Sequence, residues 1–489
     1  MIDTQAIRNK VLHLAMHGQL TKQLPEDGTA EELYQQIQEE RKRQEKDGTI
    51  KHAELASDVD DISHPFNIPT SWKWTKLGNV SYIVRGGSPR PIKQYITTRE
   101  DGINWIKIGD VEKGGKYIYS THEKIIPEGE AKSRRVYPGD FLLTNSMSFG
   151  RPYISQIEGC IHDGWLLIHD LKGFDPNYLY YLLSSSYLYS QFTVKASGST
   201  VDNLNIDKVK SAIIPLPPLA EQQRIVERVD QAFSILDTID ELQSKYSDNL
   251  FVLKSKLIDA AIKGKLTEQL SEDGTAEELY QQIQEEKQQL IKVGKIKKEK
   301  LLPEIKNAET PFEIPDNWKW VYLNSITSKI SSGSTPSGGK KSDAYVPKGF
   351  PFFREQNVYN DGIHKEGMVY ISEELLNTRP NSTVLANDIL LNITGGSIGR
   401  CALIPDEFDR GSINQHILII RPIEPETRFY IHLLICSPYI QNYIKDKAVG
   451  DKDGFSGGRC KKILVPLPPL AEQQRIVARL NEVLKMIEA

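Results

Sequence analysis

Apolar residues between positions 221 and 257 recur in steps of four and three: Ile225, Val229, Ala232, Leu236 and Ile239, then, after a three-residue slip, Leu242, Tyr246, Leu250, Leu253 and Leu257. This is the spacing of a coiled-coil seam, and it predicts a helix of about 40 residues, roughly 60 Å long, that needs a partner along its stripe. Pro215, Pro217 and Pro218 precede it and set its first turn. Elsewhere the apolar positions come in short β-prone runs bounded by Gly, Pro, Asn and Asp, which predict strands joined by turns. WIKIGDV (105–111), GDFLLTNSMSFGR (139–151) and HDGWLLI (162–168) are of this kind, as are FFREQNV (352–358), NDILLNITGGSIGR (387–400) and NQHILII (414–420). DPNYLYYLLSSSYLYSQF (175–192) and RFYIHLLICSPYIQNYI (428–444) read as helices packed on the sheet. Thr29 with Glu32 and Thr275 with Glu278 fit capping boxes that open two further helices. The charged stretches after them, Arg41–Asp61 and Lys287–Glu309, read as exposed loops.

The runs pair up because the chain is duplicated. PLPPLAEQQRIV occurs at 215–226 and again at 466–477. QLTKQLPEDGTAEELYQQIQEE (19–40) returns at 265–286 with three substitutions, and HPFNIPTSWKW (64–74) returns as TPFEIPDNWKW (310–320). The offset drifts from 246 to 251, pairing Gly87-Ser88 with Gly333-Ser334 on the way. Such a period is too long for a solenoid, so each copy is a domain-sized unit. Near-identical helical blocks thus alternate with diverged blocks of α/β or α+β character. The expected domains are 1–63 (helical), 64–214, 215–309 (helical), 310–465 and 466–489 (helical). Helices 472–489 and 3–17 are expected to form a broken copy of the long central helix, antiparallel to it, in a circular, pseudo-twofold arrangement. Trp72, Trp74, Trp318 and Trp320 recur with the scaffold and are expected to pack in its core.

Composition adds limits more than direction. The net charge of −4 is uneven: residues 64–214 carry 18 basic against 14 acidic groups and 310–465 carry 18 against 17, leaving the helical remainder acidic. No apolar run is long enough for a membrane span, and MIDTQAIRNK lacks a signal-peptide core, so the cytoplasm is the expected compartment. Cys160, Cys401, Cys436 and Cys460 show no CxxC spacing, so neither a zinc site nor a disulfide framework is expected. GSTPSGGKKS (333–342) fails the phosphate-loop spacing, and GxGxxG and HExxH are absent. His162-Asp163 resembles an acid–base pair, but the other copy has Asn414-Gln415 there. No catalytic or metal-binding residue is assigned.

The doubled P-L-P-P-L-x-E-Q-x-x-I-V helix start, the paired IPxxWKW entry, and the GSxP, LL…SxGR and N-Q-H-I motifs resemble the specificity subunit of type I restriction–modification systems. The likeness covers nearly the whole chain, although the first copy departs from it at LLTNSMSFGR and HDGWL. It implies two target recognition domains, joined by long antiparallel coiled-coil helices, that read the two halves of a bipartite, asymmetric site in double-stranded DNA. It also implies two modification subunits that methylate adenine N6, restriction subunits, and S-adenosylmethionine, ATP and Mg on those partners, with no cofactor on this chain. Candidate DNA-binding residues are Arg85, Ser88, Arg90, Lys93, Asn145, Ser148, Arg151, Ser199, Thr200 and Asn203 in the first domain. In the second they are Ser334, Thr335, Lys340, Asn392, Ser397, Arg400, Lys452, Ser456 and Arg459. Arg and Lys suit guanine, Asn suits adenine, and Ser or Thr suits phosphate. The competing reading is a bivalent protein-interaction scaffold.

Overall fold

The computed structural model describes residues 1–57, 59, 64–112, 114–145, 150–194, 204, 206–300, 302–336, 344–448 and 454–488. The chain divides into two compact units, Met1–Ser244 and Lys245–Ala489. The long helix forms over Leu219–Ile262, so each unit holds one part of it. No helix among the described residues is long and apolar enough to cross a membrane.

Within each unit its part of this helix is paired antiparallel. In the first unit Thr4–Met16 runs against it, with Arg8 bonding Asp237 and Asp240 while the Ile2 amide reaches Gln243. In the second unit the partner is Leu470–Glu488: Ile476 and Leu480 pack on Ala261, Leu257 and Ile258, and Tyr246 Oη bonds the Ile487 carbonyl. The predicted seam is only half realised. Ile225, Val229 and Leu236 are buried, but Leu242 and Tyr246 are 59% and 58% exposed and Leu253 is 43% exposed. The slip in the repeat leaves Leu242 and Leu253 off the stripe that the partner covers, while Tyr246 touches the partner helix through its hydroxyl.

Each unit also has three layers. In the first, strands Ser81–Arg85, Trp165–Asp170, Phe141–Thr144, Pro152–Ser155 and Tyr117–Ile118 form one sheet in that order. Alternation along a strand sends Phe141, Leu143, Leu166 and Ile168 to helices Pro176–Ser184 and Ser186–Val194, while Leu142, Tyr153, Trp165 and Leu167 meet Ile106, Val136 and Ile161 of a second sheet. Burial on both faces explains why these strands read as unbroken apolar runs. The second unit repeats the plan with Thr327–Ser332, Ile417–Pro422, Ile389–Asn392 and Cys401–Leu403, backed by Arg428–Ile435 and Pro438–Ala448. Antiparallel pairs Lys73–Lys76 with Ile213–Leu216, and Lys319–Tyr322 with Leu464–Leu467, close the two ends of each diverged block.

The repeated blocks meet in a polar latch. Glu221, 1% exposed, accepts hydrogen bonds from Trp72 Nε1 at 2.8 Å, Gln23 Nε2 at 2.8 Å and Thr21 Oγ1 at 3.0 Å. Glu472 accepts from Trp318, Gln269 and Thr267 in the same way. Three residues on, Arg224 clamps Asp27 through two 2.5 Å bonds, as Arg475 clamps Asp273. Both Thr-Glu capping boxes form.

Two expectations are corrected. The charged stretches are not simply loops: helices run on to Lys46 and Lys292, and Arg41 is 5% exposed. Its guanidinium donates to the carbonyls of Gly78 and Ser81, and Lys287 donates to those of Asn324 and Thr327, so each cation satisfies the carbonyls at a strand start. Desolvation lowers the Lys287 pKa. The second correction is one of register. Arg85 pairs with Leu166, and Ser332 with Leu418, after a bulge between Thr327 and Lys329, so Gly86 rather than Gly87 answers Gly333.

One interaction differs between copies in a way that pH reads. Buried Asp388 takes two bonds from Arg421, at 2.6 and 2.7 Å, whereas Asp140 meets His169 Nδ1 at 2.8 Å. The Asp140 carboxylate raises the His169 pKa. A raised folded-state pKa gives stability that is full below the unfolded value of about 6.5 and is lost as pH rises through the folded value. Chemical denaturation is therefore expected to find the first unit weaker above that window, and His169→Arg to remove this pH dependence; an unchanged profile would count against the pair.

Candidate nucleic-acid interface

At one end of the first unit's main sheet the chain turns at His162-Asp163-Gly164, and the segments that carry Ser88 and Asn145 are tied to that turn. Ser88 Oγ donates to Asp163 Oδ1 at 2.7 Å and Arg90 reaches Oδ2 at 3.4 Å. The Asp163 carbonyl accepts from Arg85 Nε at 3.0 Å and Asn145 Nδ2 at 2.8 Å. The Asn145 backbone in turn joins Gly164 and Leu204. The Ser88 hydroxyl holds the Asp163 carboxyl below its usual range, so it stays ionised between arginines. Burial pushes the His162 imidazole down, and its Nδ1 accepts the Gly164 amide at 2.8 Å.

Of the first-domain candidates, Arg85, Ser88, Arg90 and Asn145 converge on Asp163. Asn145 is only 3% exposed and ties the loops together. Lys93 is exposed beyond the cluster. Arg151 is exposed where the loop returns to its strand, its amide bonded to Thr144 Oγ1 at 3.1 Å. Ser148, Ser199, Thr200 and Asn203 lie outside the described residues.

The second unit builds the same turn from other residues. Thr335 Oγ1 donates to Gln415 Oε1, Gln415 Nε2 meets His416 Nε2 at 2.9 Å, and His416 Nδ1 meets Thr394 Oγ1 at 2.6 Å. Asn414 Nδ2 donates to Glu355 Oε2 at 2.7 Å. Asn392 is fully buried, donating to the Glu355 carbonyl and Ser397 Oγ. The Arg400 guanidinium lies 4.4 Å from the Tyr359 ring centre. Ser334 accepts from Arg379 at its carbonyl. Ser456 caps the helix Gly457–Lys461, and Arg459 closes that loop on the Lys447 and Gly454 carbonyls. Lys340 and Lys452 lie outside the described residues.

Sequence reasoning missed Asp163, Gln415, His416, Thr394, Glu355 and Tyr359 as members of this surface. Their signal was available: HDG and NQH are polar triplets at matched positions before a strand, differing in residue type between copies.

The family model for the type I restriction modification DNA specificity domain matches residues 69–245 and again 315–489. The chain belongs to this family. Each unit thus carries one specificity domain. The chain is similar to the EcoAI specificity subunit of Escherichia coli, at 26% identity over 98% of this chain and 88% of that protein. It is also similar to the EcoEI specificity subunit of Escherichia coli, at 24% identity over 99% and 89%. A chain from a structural study of complex assembly and conformational transition in a type I R-M system shares the fold, with a TM-score of 0.58 over 87% of this chain and 93% of that one, at 19% identity.

Proposed function

We propose that this chain is the specificity subunit of a type I restriction–modification complex, each unit reading one half of a bipartite, asymmetric site in double-stranded DNA. The observation that carries this reading is the pair of specificity domains on near-identical latches, with different polar sets at equivalent turns: Ser88, Arg90 and Asp163 in one, Thr335, Gln415 and His416 in the other. Equal scaffolds with unequal hydrogen-bonding loops give two unlike readers on one chain. Each can bind weakly while the pair binds tightly. Arg and Gln supply bidentate base contacts, and the loop hydroxyls and lysines supply phosphate contacts.

The chain supplies recognition and not chemistry. Two modification subunits bring S-adenosylmethionine and methylate adenine N6, and restriction subunits bring ATP and Mg. Apolar side chains left outward on the central helix, Ile235 and Leu242 in the first unit and Phe251 and Val252 in the second, support docking of such partners.

The test is exchange of residues 64–214 for the matching block of a relative, with its modification subunit co-expressed and methylated adenines mapped. One half of the methylated motif is expected to change and the other to persist; a change in both halves would refute the assignment. Affinity for DNA should also fall roughly 10³-fold between about 50 and 200 mM salt if some six phosphates are contacted. A protein scaffold would show no such slope.

A further inference from the structure

Cys401, His432 and Cys436 come together in the second unit, with one sulfur or nitrogen ligand atom from each within 4.8 Å of the others. Cys401 opens the strand Cys401–Leu403, while His432 and Cys436 lie four apart at the end of helix Arg428–Ile435, a spacing that puts both on one helix face. Cys436 Sγ is 3.8 Å from His432 Nε2, close to the roughly 3.5 Å that tetrahedral zinc imposes between sulfur and nitrogen ligands. That nitrogen also lies 3.0 Å from the Cys401 carbonyl, a hydrogen bond that an ion would replace. His432 and Cys436 border a groove of about 890 Å³, which gives an ion a way in and leaves a fourth position for water.

The first unit shows that the fold does not require these residues. Leu143 pairs with Pro152 where Leu391 pairs with Cys401. Tyr178 and Tyr430 bond equivalent carbonyls, of Pro215 and Pro466, which sets Tyr180 opposite His432 and Ser184 opposite Cys436. Three metal-ligating residues therefore stand together where the sister unit has Pro, Tyr and Ser.

We propose that Cys401, His432 and Cys436 form a binding site for a thiophilic divalent cation, Zn²⁺ foremost, confined to the second unit. The ion would join the strand that begins immediately after Arg400 to the helix behind it, stiffening the root of a candidate reading loop.

The reduced full-length chain, stripped by a chelator, is titrated anaerobically with Co²⁺ and then Zn²⁺. One Co²⁺ per chain is expected, with sulfur-to-cobalt charge-transfer absorption that Zn²⁺ abolishes. Cys436→Ser is expected to weaken binding at least about tenfold. The double variant His432→Tyr, Cys436→Ser copies the sister unit and so preserves packing; it should lose the absorption, while Cys160→Ser keeps it. Absence of stoichiometric uptake, or equal uptake by the double variant, would overturn the site. So would a chain that forms a Cys401–Cys436 disulfide and takes up no metal after reduction.

Discussion

Glu221→Ala is expected to destabilise the first unit by about 1–3 kcal/mol, and Glu472→Ala the second by a similar amount. Each carboxylate is essentially sealed from water and accepts three side-chain hydrogen bonds. Truncation strands the buried Trp indole N–H and takes one acceptor from the half-buried Thr hydroxyl and from the Gln amide, which keeps its bonds to backbone carbonyls. Stranding a buried donor costs about 1–3 kcal/mol. The substitution also unfastens three chain segments at once, since the glutamate holds the Trp72 entry and the Thr21–Gln23 turn to the start of the central helix. Hydrogen exchange in peptides of the first unit measures the destabilisation. A change below about 1 kcal/mol would mean the latch is not what fastens the blocks. Arg228→Ala, on an exposed residue of the same helix whose guanidinium bonds Gln231, should stay within about 0.5 kcal/mol and serves as the control.

The latch also explains what the sequence could disclose. Glu221, Trp72, Thr21 and Gln23 lie in the blocks that recur almost unchanged, because each contact constrains residue type on both sides. Duplication, strand runs, capping boxes and the long helix were legible for the same reason: they rest on local periodicity. Arg41 was not, because its partners are carbonyls of Gly78 and Ser81, about forty residues away, and a charged run looks the same whether or not it is buried. The candidate interface was legible in part. Arg85, Ser88 and Arg90 were found as polar residues beside a glycine pair, but the residue that gathers them, Asp163, stands 75 positions from Ser88. The thiol and imidazole cluster escaped for a related cause: Cys401 comes to His432 and Cys436 only through packing of a helix on the sheet.

Gly86→Ala and Gly333→Ala are expected to abolish recognition of one half-site each, weakening specific DNA binding by about 10²-fold or more. A Cβ on Gly86 would lie 2.1 Å from the His162 carbonyl oxygen, and one on Gly333 would lie 2.1 Å from that of Ile413. Both obstacles are backbone, so no rotamer change relieves them. The glycine must move out, breaking the Gly86 amide bond to Trp165 at 2.9 Å and the Gly87 bond to Ile161 at 3.1 Å. Ser88 and Arg90 follow on the same segment and would be pulled from Asp163. A bidentate pairing with a base edge is worth about 1–3 kcal/mol of discrimination, so abolishing two such pairings removes about two to four powers of ten in affinity. Competition binding with DNA bearing the full target, then with each half scrambled, measures this. Gly86→Ala should no longer distinguish target from DNA altered in the first half-site, and should still distinguish DNA altered in the second. The salt-dependent, sequence-independent affinity should change little, because the substitution removes no charged side chain. Wild-type discrimination by both variants would remove these turns from the reading surface.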